Sequence, residues 1–145
     1  MSQKIPSPPF NLTDTGPLVA LINANDPSHA QAQAALRRLP KRPLLTTWPC
    51  LTEAMYLLHR AGGQVAQDVA WGYVVDGLVR LHDLREADCH RMRELMTQYS
   101  DTPMDLADAS LVVTAEGLGL RQIFTLDSDF YIYRLADGAV LEVVR

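Results

Sequence analysis

Apolar positions in this chain alternate between short compact runs and runs at helical spacing. Residues 11–13 form a first short extended segment that closes on Asp14. In TGPLVALINAND the texture turns helical: Pro17 suits a first turn, Leu18, Leu21 and Ile22 recur at helical spacing, and polar residues stop the helix near 25–27. Ser28 suits the N-cap of a second helix, HAQAQAALRRL, built from strong helix formers. KRPLLTTWP reads as a turn, a second strand and a stop at Pro49. CLTEAMYLLHRAGG is amphipathic, with Leu51, Met55 and Leu58 on one face, and Gly62 and Gly63 end it; QVAQDVAWGYVVDGL is a further helix. VRLHDL is a short strand, READCHRMRELMTQYS a polar-faced helix and MDLADASLVVTAEGLG a buried helix with a glycine stop. RQIFTLD and AVLEVV supply the last two strands.

Strands separated by helices at this spacing predict an α/β protein, a three-layer α/β/α sandwich around a central, mostly parallel sheet. Such sheets bind their ligands in the crevice outside the carboxyl ends of the strands. Asp14 and Asp127 each fall just past a predicted strand end. With 145 residues, the elements fit a single domain over 12–145, preceded by a flexible proline-rich leader over 1–11. That leader lacks the apolar run of a signal peptide, and no stretch approaches the roughly 20 apolar residues of a membrane-spanning helix. A soluble, cytoplasmic protein is expected. Cys50 and Cys89 have no CxxC spacing and no clustered histidine, so they read as ordinary thiols.

Acids are the chemistry that stands out. Asp14 could simply cap the helix that follows, and Glu53 could be a first-turn glutamate favoured by the helix dipole. Asp105 and Asp108, three apart at a helix start, can project from one face; Asp105 is the better cap, and Asp108 lies deeper. Asp127 ends a strand, and Asp129 fits a solvent-facing turn. Taken together they ask for one explanation. Two carboxylates about 4 Å apart repel by ~4 kcal/mol at an effective dielectric near 20, so a cluster needs protons or a hard cation. Mg²⁺ and Mn²⁺ favour such oxygen ligands.

LTDTGPLVALINANDPSH, TTWPCLTEAMYLL, DLADASLVVTAEGLG and IFTLDSDFYIYR resemble the PIN-domain nucleases, especially the VapC-type toxin ribonucleases. Each block is short, but four in the right order over nearly the whole chain are specific. The resemblance assigns catalytic and metal-binding roles to Asp14, Glu53, Asp108 and Asp127, which match the family's acids one for one. Thr125 is similar to a family threonine at this site, and Asp105 corresponds less firmly; these two and Asp129 form a second tier. The resemblance implies an endoribonuclease that hydrolyses RNA phosphodiester bonds with water activated by one or two Mg²⁺ or Mn²⁺ ions. Its products would carry a 5′-phosphate and a 3′-hydroxyl. It further implies a cognate antitoxin and a homodimer.

The net charge of −4 weighs against RNA binding by bulk charge, but four metal-bound carboxylates account for all of it. Arg37, Arg38, Lys41 and Arg42 form a basic cluster suited to phosphates, or equally to a solvated helix end. His59, His82 and His90 share no ligand spacing, and His29 fits a cap or the surface. Asp-Thr-Gly at 14–16 also matches the aspartic-protease signature, but the remaining chain is too helical for that all-β fold. A phosphorelay receiver expects a late lysine, and none follows Lys41. The remaining rival is a catalytically inactive PIN-like module that binds RNA or protein, which would have no use for four costly carboxylates.

Overall fold

The computed structural model describes residues 9–145. Strand β1 (Asn11–Leu12) leads to helices α1 (Thr15–Ile22) and α2 (His29–Arg38), then β2 (Leu44–Thr47) and α3 (Trp48–Val75). Strand β3 (Val79–His82), a 3₁₀ turn, α4 (Cys89–Gln98), α5 (Leu106–Leu118), β4 (Gln122–Phe124) and β5 (Glu142–Val144) complete the chain. β1, β2 and β3 pair in parallel, as do β4 and β5. A parallel bridge between Thr13 and Phe124 joins the two groups, giving the spatial order β3-β2-β1-β4-β5. The parallel three-layer expectation holds.

Alternation along the strands creates the two outer layers, because successive strand side chains point to opposite faces. Leu12, Leu45 and Ile123 pack with Met92 and Leu95 of α4 and with Leu111 and Val112 of α5.

 Leu95 of α4 is wholly buried in that layer. Leu44, Val79 and Phe124 face the other way, onto Leu18 and Val19 of α1, Ala32 and Ala35 of α2, and Ala54 and Leu58 of α3. Each fully buried Leu or Phe side chain contributes about 1.5–3 kcal/mol. Two such layers give the sheet the stability to carry buried polar groups at one edge.

The glycine signals fall where expected. Within α3 the helical backbone breaks at Gly62 and Gly63, and Gly63 takes φ 66°, a left-handed conformation that favours glycine. Gly119 closes α5 in the same region, at φ 67°. The Ser28 side chain makes no capping hydrogen bond, so the expected cap of α2 is not formed that way; Ser28 instead donates its N–H to Asp26 Oδ1 at 2.8 Å. The proposed leader falls mainly on residues 1–8, outside the described residues. Its last two residues belong to the fold: Phe10 packs on the core and Asn11 opens β1. Cys50 is buried and Cys89 exposed. No helix among the described residues is long and apolar enough to cross a membrane.

Candidate metal centre

Asp14 stands where β1 turns into α1. Its N–H donates to the Phe124 carbonyl at 2.9 Å, which fixes the backbone across the join between the two strand groups. Its Oδ1 accepts the Thr15 N–H at 2.7 Å and its Oδ2 accepts the Thr125 hydroxyl at 2.8 Å. Asp108 lies in the first turn of α5, locked in a reciprocal cap with Asp105. The Asp108 N–H donates to Asp105 Oδ1 at 2.8 Å, and the Asp105 N–H to Asp108 Oδ2 at 3.3 Å. Asp127 caps the 3₁₀ turn Ser128–Tyr131 by accepting the Asp129 N–H at 2.9 Å. Its own N–H donates to the Thr125 hydroxyl at 3.0 Å.

Three separate turns thus deliver three carboxylates to one place. One ligand oxygen from each of Asp14, Asp108 and Asp127 lies within 4.8 Å of the others. Glu53 is not part of that triplet. It sits exposed on α3 and accepts the Thr15 hydroxyl at 3.4 Å, while the same hydroxyl reaches the Cys50 carbonyl at 3.2 Å. Thr15 therefore links the first acid's turn to the glutamate's helix.

Burial and mutual repulsion raise the proton affinity of this group. Asp14 is pushed up to about 6, chiefly by burial and then by the Asp127 and Glu53 charges, against the pull of Thr125 and Thr15. Asp108 is held well above the usual carboxylate range by burial, Asp105 and Asp14. Glu53 is raised by burial, then by Asp105 and Asp127. Burial and the nearby Asp14 charge push the Cys50 thiol up to about 11, which keeps it protonated and inert. Ion pairs among the described residues involve Arg91 and Arg121 and reach none of these acids.

The donor set fits a hard divalent cation. All the converging atoms are carboxylate oxygens, and each acid keeps lone-pair capacity beyond its local hydrogen bonds. A divalent ion would offset the repulsion that otherwise favours protonation. Nothing in the set is a soft ligand.

Similar proteins agree with this geometry. Ribonuclease VapC26 of Mycobacterium tuberculosis is 26% identical over 116 residues, 80% of this chain and 85% of that protein. The crystal structure of VapC20 from the same organism, a sarcin-ricin loop cleaving toxin, superposes with a TM-score of 0.78 at 22% identity, covering 92% of this chain and 98% of the other. The chain is similar in sequence to a VapC ribonuclease and shares the PIN-like fold of the VapC toxins. VapBC2 from Rickettsia felis, bound to a DNA fragment from its promoter, gives a TM-score of 0.63 at 14% identity over 94% of this chain and 99% of that one. A toxin–antitoxin complex from Klebsiella pneumoniae gives 0.62 at 19% identity over 83% and 89%. No family-wide sequence profile matches the chain.

Within this PIN-like fold the second-tier residues lie against the acids. Thr125 is fully buried and bonded to both Asp14 and Asp127. Asp105 is the α5 cap, as its position near Pro103 suggests. Asp129 lies in the turn after Asp127, whose charge, after desolvation, raises its carboxyl. The basic cluster is elsewhere. The Pro40 and Arg42 carbonyls accept the Asn11 side chain at the start of β1, which puts the turn at residues 40–42 near the amino ends of the strands. Arg37, Arg38 and Lys41 are exposed, and Arg38 reaches past the strand ends to donate to the Arg145 carbonyl, just beyond the carboxyl end of β5, at 2.6 Å. Sequence reasoning missed Tyr133, whose phenol donates to Asp108 Oδ2 at 3.2 Å. It also missed Thr15. Only its place beside Asp14 could have drawn attention to Thr15, and nothing local marks Tyr133.

Proposed function

We propose that this chain is a metal-dependent endoribonuclease, the toxin of a toxin–antitoxin pair, that hydrolyses RNA phosphodiester bonds at the carboxyl edge of its sheet. The observation that supports this most directly is the convergence of Asp14, Asp108 and Asp127 within 4.8 Å in a chain similar in sequence to ribonuclease VapC26. Asp14, Asp108 and Asp127 would hold one or two Mg²⁺ or Mn²⁺ ions, with Glu53 contributing from the rim. When bound, such ions supply positive charge and Lewis acidity toward phosphate and water.

The chain's own residues do the positioning. Thr125 donates to Asp14 and accepts from the Asp127 amide, so one hydroxyl orients two of the acids. The Asp105 cap holds the start of α5, and with it Asp108. Thr15 ties Glu53 to the Asp14 turn. Among the described residues, no serine, cysteine or histidine side chain hydrogen-bonds to these acids, and Cys50 is held as a thiol. The VapBC2 and Klebsiella pneumoniae complexes support an antitoxin partner, and we extend the reading to a homodimer acting in the cytoplasm.

The test is cleavage of structured and single-stranded RNAs by purified protein with Mg²⁺ or Mn²⁺. Activity should vanish in EDTA, return with added metal, and be lost in Asp14→Ala and Asp108→Ala. EDTA-insensitive cleavage, or cleavage retained by both variants, would overturn the mechanism. A folded, metal-loaded protein that cuts none of these RNAs would favour an inactive binding module.

A further inference from the structure

Asp108 is held from the side by a residue far along the chain. Its Oδ2 accepts two donors, the Tyr133 hydroxyl at 3.2 Å and the Asp105 N–H at 3.3 Å. Neither donor reaches Oδ1. Two donors on one oxygen restrain rotation of the carboxylate and leave its second oxygen available to another ligand.

The Tyr133 ring is itself restrained. It is buried, at 3% exposure, with the edges or faces of Tyr99 and Phe130 packed around it. Both ring centroids lie 5.1 Å away, at interplanar angles of 66° and 84°. The Tyr133 oxygen cannot swing away from Asp108 without disturbing this packing, whereas the Tyr99 hydroxyl is engaged elsewhere, accepting the Arg134 N–H at 2.8 Å.

We infer that Tyr133 is a positioning residue of the metal centre, fixing the Asp108 carboxylate so that Oδ1 remains open to a divalent cation. This rests on the reading of Asp14, Asp108 and Asp127 as a metal centre. A tyrosine that merely needed a partner for its buried hydroxyl would stabilise the fold but leave cation affinity alone. Groups that orient a metal ligand from outside are worth about 10–100-fold in metal affinity or activity.

Calorimetric titration of Mn²⁺ into the purified, metal-stripped full chain separates these roles. Tyr133→Phe keeps the ring and should bind Mn²⁺ about 10–100-fold more weakly. Tyr99→Phe loses a phenol oxygen from the same cluster without touching Asp108, and should stay within about twofold of the native affinity. Asp14→Asn should largely abolish binding. In RNA cleavage, Tyr133→Phe should lower kcat at limiting Mn²⁺, recover at high Mn²⁺ and leave the KM for RNA unchanged.

Native affinity in Tyr133→Phe, with binding lost in Asp14→Asn, overturns the Tyr133 role and leaves the metal centre standing. Equal weakening by Tyr99→Phe and Tyr133→Phe overturns the hydrogen-bond assignment in favour of packing. Absence of Mn²⁺ binding by the native chain, or unaltered binding by Asp14→Asn, overturns the metal centre and the inference with it. Should Tyr133→Phe fail to fold, the native protein still decides. Mn²⁺ addition should produce a tyrosine ultraviolet difference signal that disappears in Asp108→Asn, and its absence overturns the role.

Discussion

The two edges of the sheet use charge in opposite ways. At the carboxyl edge, Asp14 and Asp108 are buried and face other acids. At the amino edge, Arg37 and Lys41 are exposed. A cleft of about 410 Å³ opens there, lined by aliphatic side chains such as Leu18, Ile22, Leu44 and Val79, with Arg37 and Arg42 at its wall. None of the clustered acids lines that cleft. Solvated bases cost little to hold apart, whereas buried acids cost much unless something neutralises them. That asymmetry is what supports the chemistry proposed for the carboxyl edge.

The common scaffold is the first thing to break. Phe124 is 1% exposed, and its carbonyl accepts the Asp14 N–H at the join of the two strand groups. Phe124→Ala should cost about 3–5 kcal/mol in denaturant unfolding, erasing both edges together. A loss under 1 kcal/mol would mean that the join contributes little.

Protons distinguish the edges next. Asp14 has a folded value near 6 against an ordinary value of 3.8, so the folded chain binds more protons than the unfolded one between them. Stability of the metal-free protein should therefore fall as pH rises from about 4 to about 6, by on the order of 3 kcal/mol from this group. Asp108, also raised, extends the decline to higher pH. Melting curves in EDTA should show this decline, Asp14→Asn should flatten it, and Mn²⁺ should reverse it at neutral pH. A metal-free protein that grows more stable over the same range would contradict the burial of these charges.

Thr125 offers a smaller change within the carboxyl edge. Thr125→Val keeps the shape but removes the hydroxyl that Asp14 and Asp127 share. RNA cleavage should fall about 10–100-fold, the range for a partner that orients metal ligands. Unchanged rates would limit Thr125 to a role in packing.

How much of this was readable in advance follows the range of the interactions. The glycine pair at 62–63, the stop at Gly119 and the Asp105 cap are local, and periodicity with turn chemistry located them. Asp14 and Asp127 stood out because a parallel sheet puts its ligand crevice just past the strand ends. The four sequence blocks supplied Glu53 and Asp108, which spacing alone could not bring together. Tyr133 acts on a residue 25 positions away through packing with Tyr99 and Phe130, and no local pattern encodes such a contact. The basic cluster shows the same limit in reverse. A run of bases is conspicuous in sequence, yet its edge of the sheet depends on where the turn into β2 falls.

The amino edge gives the smallest expected effect and the finest test. Arg37 and Lys41 are exposed, and the turn that carries them is held by backbone carbonyls accepting from Asn11. Removing their charges should leave that turn folded, since exposed substitutions usually stay within about 0.5 kcal/mol. Their distance from the acids, at the other end of the strands, means that they do not help to hold a cation there. Arg37→Ala combined with Lys41→Ala should therefore leave kcat for RNA cleavage and Mn²⁺ affinity within about twofold. Any effect should fall on KM and grow weaker as salt is raised, as expected for phosphate contacts made by exposed charges. A large fall in kcat at saturating RNA would instead join the two edges in one catalytic surface, and the division drawn between buried acids and solvated bases would fail.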